Sequence, residues 1–144
     1  MLKQPRLLDH KLVIVKASSA SEIDPAFAAL AHRHIAAVFV NADPLYNVNS
    51  PKIVALAARH AMLTVTSWEG FAPDGGLISY GTSINEANRQ LGVYTGRVLK
   101  GTRPGDLPVM QSTKFQLVIN LKTAKALGLT IPQSVLVRAD EIIQ

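Results

Sequence analysis

Five side chains in this sequence have the types needed to hold a small charged molecule: Asp43, Tyr46, Trp68, Glu69 and Tyr80. The carboxylates of Asp43 and Glu69 can take an ammonium group. The rings of Tyr46, Trp68 and Tyr80 offer apolar walls and a cation–π surface, while loop amides can hold a carboxylate. Each residue also fits an ordinary structural role. Asp43-Pro44 reads as a turn, Trp68 as a cap on the core edge, and Tyr80 as a core tyrosine with its hydroxyl satisfied. Tyr46 and Glu69 read equally well as solvated loop residues. What joins the five is their expected position, in loops that follow strands or at a strand end.

Other chemistries find little support. There is no G-x-x-x-x-G-K-[ST], and the first apolar run is followed by KASSAS rather than G-x-G-x-x-G, so no nucleotide signature is present. His32 and His34, two apart, point to different faces of a helix end and lack a third ligand nearby, which reads as surface rather than metal. His60 falls at an expected helix C-terminus, a favourable place for an imidazole. Ser79 lies in I-S-Y-G within a strand, not in a G-x-S-x-G elbow. With no cysteine, disulfides and thiol chemistry are excluded outright. The reading is of a binding protein without catalytic residues, metal or cofactor.

The elements that position the five side chains follow from periodicity. KLVIVK at 11–16 is β-branched and predicts a strand. Ser21 with Asp24 resembles a capping arrangement, Pro25 is tolerated in a first turn, and Ile23, Phe27, Leu30 and Ala31 form a helical apolar face. IAAVFV at 35–40 is wholly apolar, as a strand covered on both faces would be. After the turn chemistry of 41–49, Ser50-Pro51 predicts a cap and first helical position for a helix carrying Ile53, Leu56, Ala57 and His60. AMLTVT at 61–66 is a third strand. Residues 67–74 then form a loop, and Leu77 to Tyr80 a fourth strand that Gly81 breaks.

Ser83 can cap the next helix, in which Ile84, Ala87, Leu91, Tyr94 and Val98 are spaced 3, 4, 3 and 4. Lys100 and Gly101 close it. Gly92 and Gly96 cost roughly 1 kcal/mol each against alanine, suggesting a flank that another backbone approaches closely. FQLVI at 115–119 is a strand, Asn120 caps a short helix over 121–127, and Gly128 with Pro132 ends it. The tail fits either a short helix or a strand. Strands alternating with helices indicate parallel β-α-β units in an open α/β sheet. In such a sheet the loops at 17–19, 41–47, 67–69 and 80–82 would line a ligand crevice.

At 144 residues the chain suits one domain with a real core. Its 48% hydrophobic and 17% charged residues exclude a wholly disordered chain. A net charge of +5 is spread singly along the sequence, the pattern of a solvated surface rather than a nucleic-acid face. No apolar run approaches the roughly 20 residues of a membrane span. The short run at 12–15 does not make a signal-peptide core, so as written the chain would be cytoplasmic.

The run from Leu77 to the C-terminus resembles the C-terminal part of ABC-transporter substrate-binding proteins, specifically the tryptophan/tyrosine-type solute receptors. The resemblance rests on Ser79-Tyr80-Gly81, on the connector from Gly96 through Val109, and on TKFQLVINLKTAKALGLTIPQSVLVRADEII at 113–143. Asp24 to Leu30 and Ala42-Asp43-Pro44 fit upstream. The resemblance implies a type I periplasmic-binding-protein fold with Rossmann-like lobes, and lobe closure that presents a solute to an ABC permease. By position it implies that Asp43 suits a ligand amino group and that Ser67, Trp68 and Tyr80 face the cleft. The solute class would be an amino acid or aromatic compound, and the location periplasmic.

Members of that family are about twice this length, and this chain begins where their second lobe begins. Threaded onto them, 1–78 forms most of that lobe and 79–109 crosses to complete the missing first lobe, with 110–144 returning. The helix at 84–98 would then have no sheet to cover it. Such a stripe is expected to fold onto its own lobe or to be exchanged in a homodimer. Two further readings stay open: a self-associating module without a transported ligand, and a small α/β enzyme.

Overall fold

The computed structural model describes residues 12–111 and 114–144. Residues 12–17 run with no assigned secondary structure and alternate between exposed and half-buried, turning Val13, Val15 and Ala17 toward the core. The strand expected at 11–16 therefore does not form as such. The period-2 pattern is there, but among the described residues no neighbouring strand offers it a ladder, and Lys11 lies outside them. Helix α1 (Ile23–His32) buries Ile23, Phe27 and Leu30, the face its spacing predicts. The expected Ser21–Asp24 cap is absent. Glu22 takes the N-cap position without a side-chain cap bond, and its carboxylate instead accepts the Ser18 N–H at 2.7 Å. Asp24 pairs with Lys52, which draws its carboxyl below the usual range.

Strand β1 (Ala37–Val40) leads through two helices, α2 (Pro44–Val48) and α3 (Ser50–Arg59), to β2 (Leu63–Thr66). Asn49 rather than Ser50 is the N-cap of α3; Ser50 is its first residue, and its buried Oγ has no partner among the described residues. Ile53, Leu56 and Ala57 on α3 meet Phe27 and Leu30 of α1, with Val40, Met62 and Phe71 completing the core. A stretch of turns joins β2 to β3 (Ile78–Thr82) in place of a helix, and β3 feeds α4 (Ile84–Leu99). After a 3-10 turn at Pro104–Asp106 come β4 (Phe115–Asn120), α5 (Leu121–Ala126), α6 (Gln133–Leu136) and β5 (Glu141–Ile143). Both readings of the tail are realised, a helical turn and then a strand.

The strands form one sheet in chain order, β1-β2-β3-β4-β5. The β1–β2, β2–β3 and β4–β5 pairs are parallel, and β3–β4 is antiparallel. This is the open, mainly parallel α/β sheet that alternation of elements implies. Register puts Val40, Thr66, Ser79 and Val118 on one face, where all four are buried. The other face carries Phe39, Tyr80 and Phe115, exposed by 63%, 55% and 50%, although Ile119 on the same face is fully buried. The expectation that 35–40 is covered on both faces is thus wrong. With α1 and α3 packed against the Val40 side, the Phe39 side of this edge strand is left open.

Helix α4 forms over the expected span but buries none of its residues. It does not fold onto its own sheet. Among the described residues, no atom outside the helix's own local backbone lies within 4 Å of a Cβ placed on Gly92 or Gly96, so the close-approach flank read from those glycines is not filled by them.

Candidate functional site

Because β1, β2 and β3 are adjacent and parallel, their C-terminal ends share one edge of the sheet. Asp43 follows β1, Ser67 to Glu69 follow β2, and Ser83-Ile84 follow β3. Asp43 is the N-cap of α2, and its Oδ1 accepts the Leu45 N–H at 2.8 Å. Glu69 reaches across to the next strand's end, where its Oε1 accepts the Ile84 N–H at 3.1 Å. A carboxylate at that helix start also suits the positive end of the dipole. Ser67 is drawn to the same place. A Cβ built on Gly81 would lie 1.7 Å from the Ser67 carbonyl oxygen, so the two backbones touch. The loops after β2 and β3 are therefore one contact unit.

The connection from 67 to 77 owes its shape to buried polar partners. The Ala72 N–H donates to Ser79 Oγ at 2.9 Å, and Asn120 Nδ2 donates to the Ala72 carbonyl at 2.9 Å. Asn120 Oδ1 also accepts the Thr123 N–H, and Thr123 Oγ1 donates to the Gly75 carbonyl at 2.8 Å. Buried groups with partners are cheap and buried groups without them are costly, so these bonds fix a helix-free crossover in one conformation. Phe71, fully buried, anchors its middle, and the Trp68 ring packs edge-on against it at 5.1 Å.

The other expected site residues divide. Tyr46 turns inward: its hydroxyl donates to the Ala17 carbonyl at 2.8 Å, and its ring packs on the core. Trp68 is half-buried against that core, as its alternative reading as an edge cap has it. Tyr80 sits on the open face of β3 and stacks on Phe115 at 5.9 Å, rather than standing as a buried tyrosine. The structure thus brings Ser67, Glu69 and the start of α4 together, sets Asp43 on the same sheet edge, and holds Tyr46 to the core. Gly81, Ser79, Asn120 and Thr123 were missed as positioning residues. A glycine inside a strand does signal close backbone approach, and Gly81 carried that signal. Among the described residues no group of three His, Asp or Glu side chains could hold a metal ion.

A profile of the family described as ABC transporter substrate binding protein matches residues 6–143, nearly the whole chain. The chain belongs to that family. A tyrosine-binding protein of Clostridioides difficile is 26% identical over 121 residues, covering 84% of this chain and 35% of the relative. Among solved structures, a conserved domain protein of Vibrio cholerae superposes with a TM-score of 0.86 at 25% identity, covering 93% of this chain and 45% of that one. An ABC domain in complex with L-Trp from Streptococcus pneumonia gives 0.81 at 29% identity, covering 88% of this chain and 43% of that one. This chain therefore spans less than half the length of each. The family is one of substrate-binding proteins, and two of these relatives are described by an amino acid they bind or hold.

Proposed function

We propose that this chain forms one side of the solute cleft of an ABC importer's binding protein, and that the solute is an amino acid with an aromatic side chain. The observation that carries the reading is the joined unit of the post-β2 and post-β3 loops on the edge that also bears Asp43. On this reading the second Asp43 carboxylate oxygen takes the ligand ammonium. Ser67 and Glu69 supply polar contacts, and Trp68 and Tyr80 supply aromatic walls. Tyr46 supports the Asp43 loop from beneath through its bond to Ala17. The solute class is supported by the names of two relatives, one tyrosine-binding and one holding L-Trp.

In the same reading 1–78 is most of one lobe, 79–109 crosses toward another, and 110–144 returns. The site of action lies outside the cytoplasmic membrane, with an ABC permease as partner. No helix among the described residues is long and apolar enough to cross a membrane. The uncovered apolar face at 84–98 favours exchange of α4 in a homodimer wherever a second lobe does not cover it. Light scattering that gives a monomer at all concentrations removes that part.

Isothermal titration with L-Trp, L-Tyr and non-aromatic amino acids tests the whole. The expected result is heat with the aromatic pair, weakened at least tenfold by Asp43→Ala, an ammonium contact of about 1.4 kcal/mol or more. Silence across the panel would sink the proposal.

A further inference from the structure

Two large aromatic side chains stand in the open at the sheet edge that carries the candidate site. Tyr80 on β3 and Phe115, the first residue of β4, are 55% and 50% exposed, and their rings stack 25° from parallel with centroids 5.9 Å apart. The antiparallel register pairs Tyr80 with Leu117 and Thr82 with Phe115, so the two rings lie diagonal to each other on one face. Because β4 runs against β3, its first residue stands at the edge where β3 ends. The last parallel pair between β2 and β3 is Thr66 with Ser79, which sets Tyr80 level with Ser67. One residue further, Gly81 touches the Ser67 carbonyl. The ring pair therefore adjoins the joined loops.

Resting on the solute reading above, we infer that the Tyr80–Phe115 pair is the surface that selects a flat aromatic side chain, and that Phe115 is a specificity-determining residue. Trp68 does not have this freedom, since its ring is half-buried and held edge-on to Phe71 at 5.1 Å. Tyr80 and Phe115 each keep about half of their surface open to a third ring. They meet such a ring with the quadrupole complementarity of aromatic pairs, which a saturated ring lacks. β1 and β3 are two strand spacings apart, roughly 10 Å. A solute held by its ammonium at Asp43, after β1, thus reaches Tyr80 only with a long side chain. A cross-strand aromatic pair also steadies a ladder, but leucine in place of one ring keeps the apolar bulk that this role needs.

Isothermal titration on the full chain compares L-phenylalanine with L-cyclohexylalanine, which match in length and differ in a flat π ring against a saturated one. The wild type is expected to prefer phenylalanine about fivefold. Phe115→Leu should bring the two affinities within about twofold of each other, and Phe115→Tyr should restore the preference. Circular dichroism melts show which variants are folded; if Phe115→Leu is not, Tyr80→Leu is read in its place with the same expectation. No preference in the wild type, or a preference that survives the leucine variant, overturns the inference and leaves the solute reading standing. Absence of binding by any amino acid, L-Trp included, overturns that reading and the inference with it.

Discussion

Substituting Gly81 by alanine tests the contact that unites the candidate site. The added Cβ would stand 1.7 Å from the Ser67 carbonyl oxygen, 2.6 Å from its carbon and 3.1 Å from its Cα. All three neighbours are backbone, so no side-chain rotation relieves the clash. Reaching even 3.0 Å needs the Ser67 peptide to retreat by roughly 1.3 Å, which pulls on the loop held by Glu69 at Ile84. Overpacking of this kind costs about 1–3 kcal/mol, sometimes more. For a domain of this size that is a fall in Tm of roughly 3–12 °C. Circular dichroism melts give the stability. NMR amide shifts locate the strain, with Ser67, Trp68, Glu69 and Ile84 expected to move. An unchanged Tm with shifts confined to position 81 would show that the two loops are not in contact, and the candidate site would lose its geometric basis.

Gly92→Ala and Gly96→Ala meet open space and should each raise helix stability by up to about 1 kcal/mol, read as an increase in Tm. A loss of stability would mean that a backbone does pack on that flank. Asn120→Ala removes both the Ala72 partner and the cap of α5, so a loss of about 1–3 kcal/mol in chemical denaturation is expected, and a neutral result would contradict the anchoring of the 67–77 crossover. Glu86 is pulled down to about 2, first by the Arg89 guanidinium and then by the Gln90 amide. A depressed carboxyl stabilises the folded helix start above its ordinary value near 4.5, and that contribution is lost as pH falls from there toward 2. NMR titration should show this midpoint rising toward the ordinary carboxylate range in Arg89→Ala; a wild-type midpoint already in that range would refute the pairing.

Much of the architecture could be read from periodicity because helix spacing and caps are local properties. Ile23, Phe27 and Leu30, or Ser83 and Asn120 as caps, lie within a turn or two of what they organise. Strand identity is different, since a strand exists only through its neighbour. Residues 12–17 have the alternation and the β-branching, yet without an adjoining edge they stay unpaired. Gly81 was read as a break because a glycine without context marks a turn; its partner at Ser67 is fourteen residues away and visible only once β2 and β3 align. The Asn120–Ala72 and Thr123–Gly75 bonds each span 48 residues, beyond any local pattern. Tyr46 and Trp68 carried their dual character in the sequence; both pack on the core, and Tyr46 also commits its hydroxyl to the Ala17 carbonyl.

Helix α4 separates what forms an element from what it is for. Both its ends are capped: Ser83 Oγ accepts the Glu86 N–H, the Glu69 carboxylate accepts that of Ile84, and Gly101 at φ 99° returns its own N–H to Val98. Those caps explain where the helix starts and stops. They do not explain why Ile84, Leu91, Tyr94 and Val98 share a face, because none of the four is buried and Leu91 is 71% exposed. A helix of 16 residues with two internal glycines is marginal on local terms alone. Among the described residues, the hydrogen bond that the connector makes to its middle is the one from the Tyr94 hydroxyl to the Pro108 carbonyl. The apolar stripe therefore answers to something beyond this sheet, while the loops at the sheet edge are braced by contacts within it. Bracing of the sheet-edge loops and coverage of α4 are thus physically separable in this chain, and the first rests on Ser67, Gly81 and Glu69 rather than on the helix's apolar face.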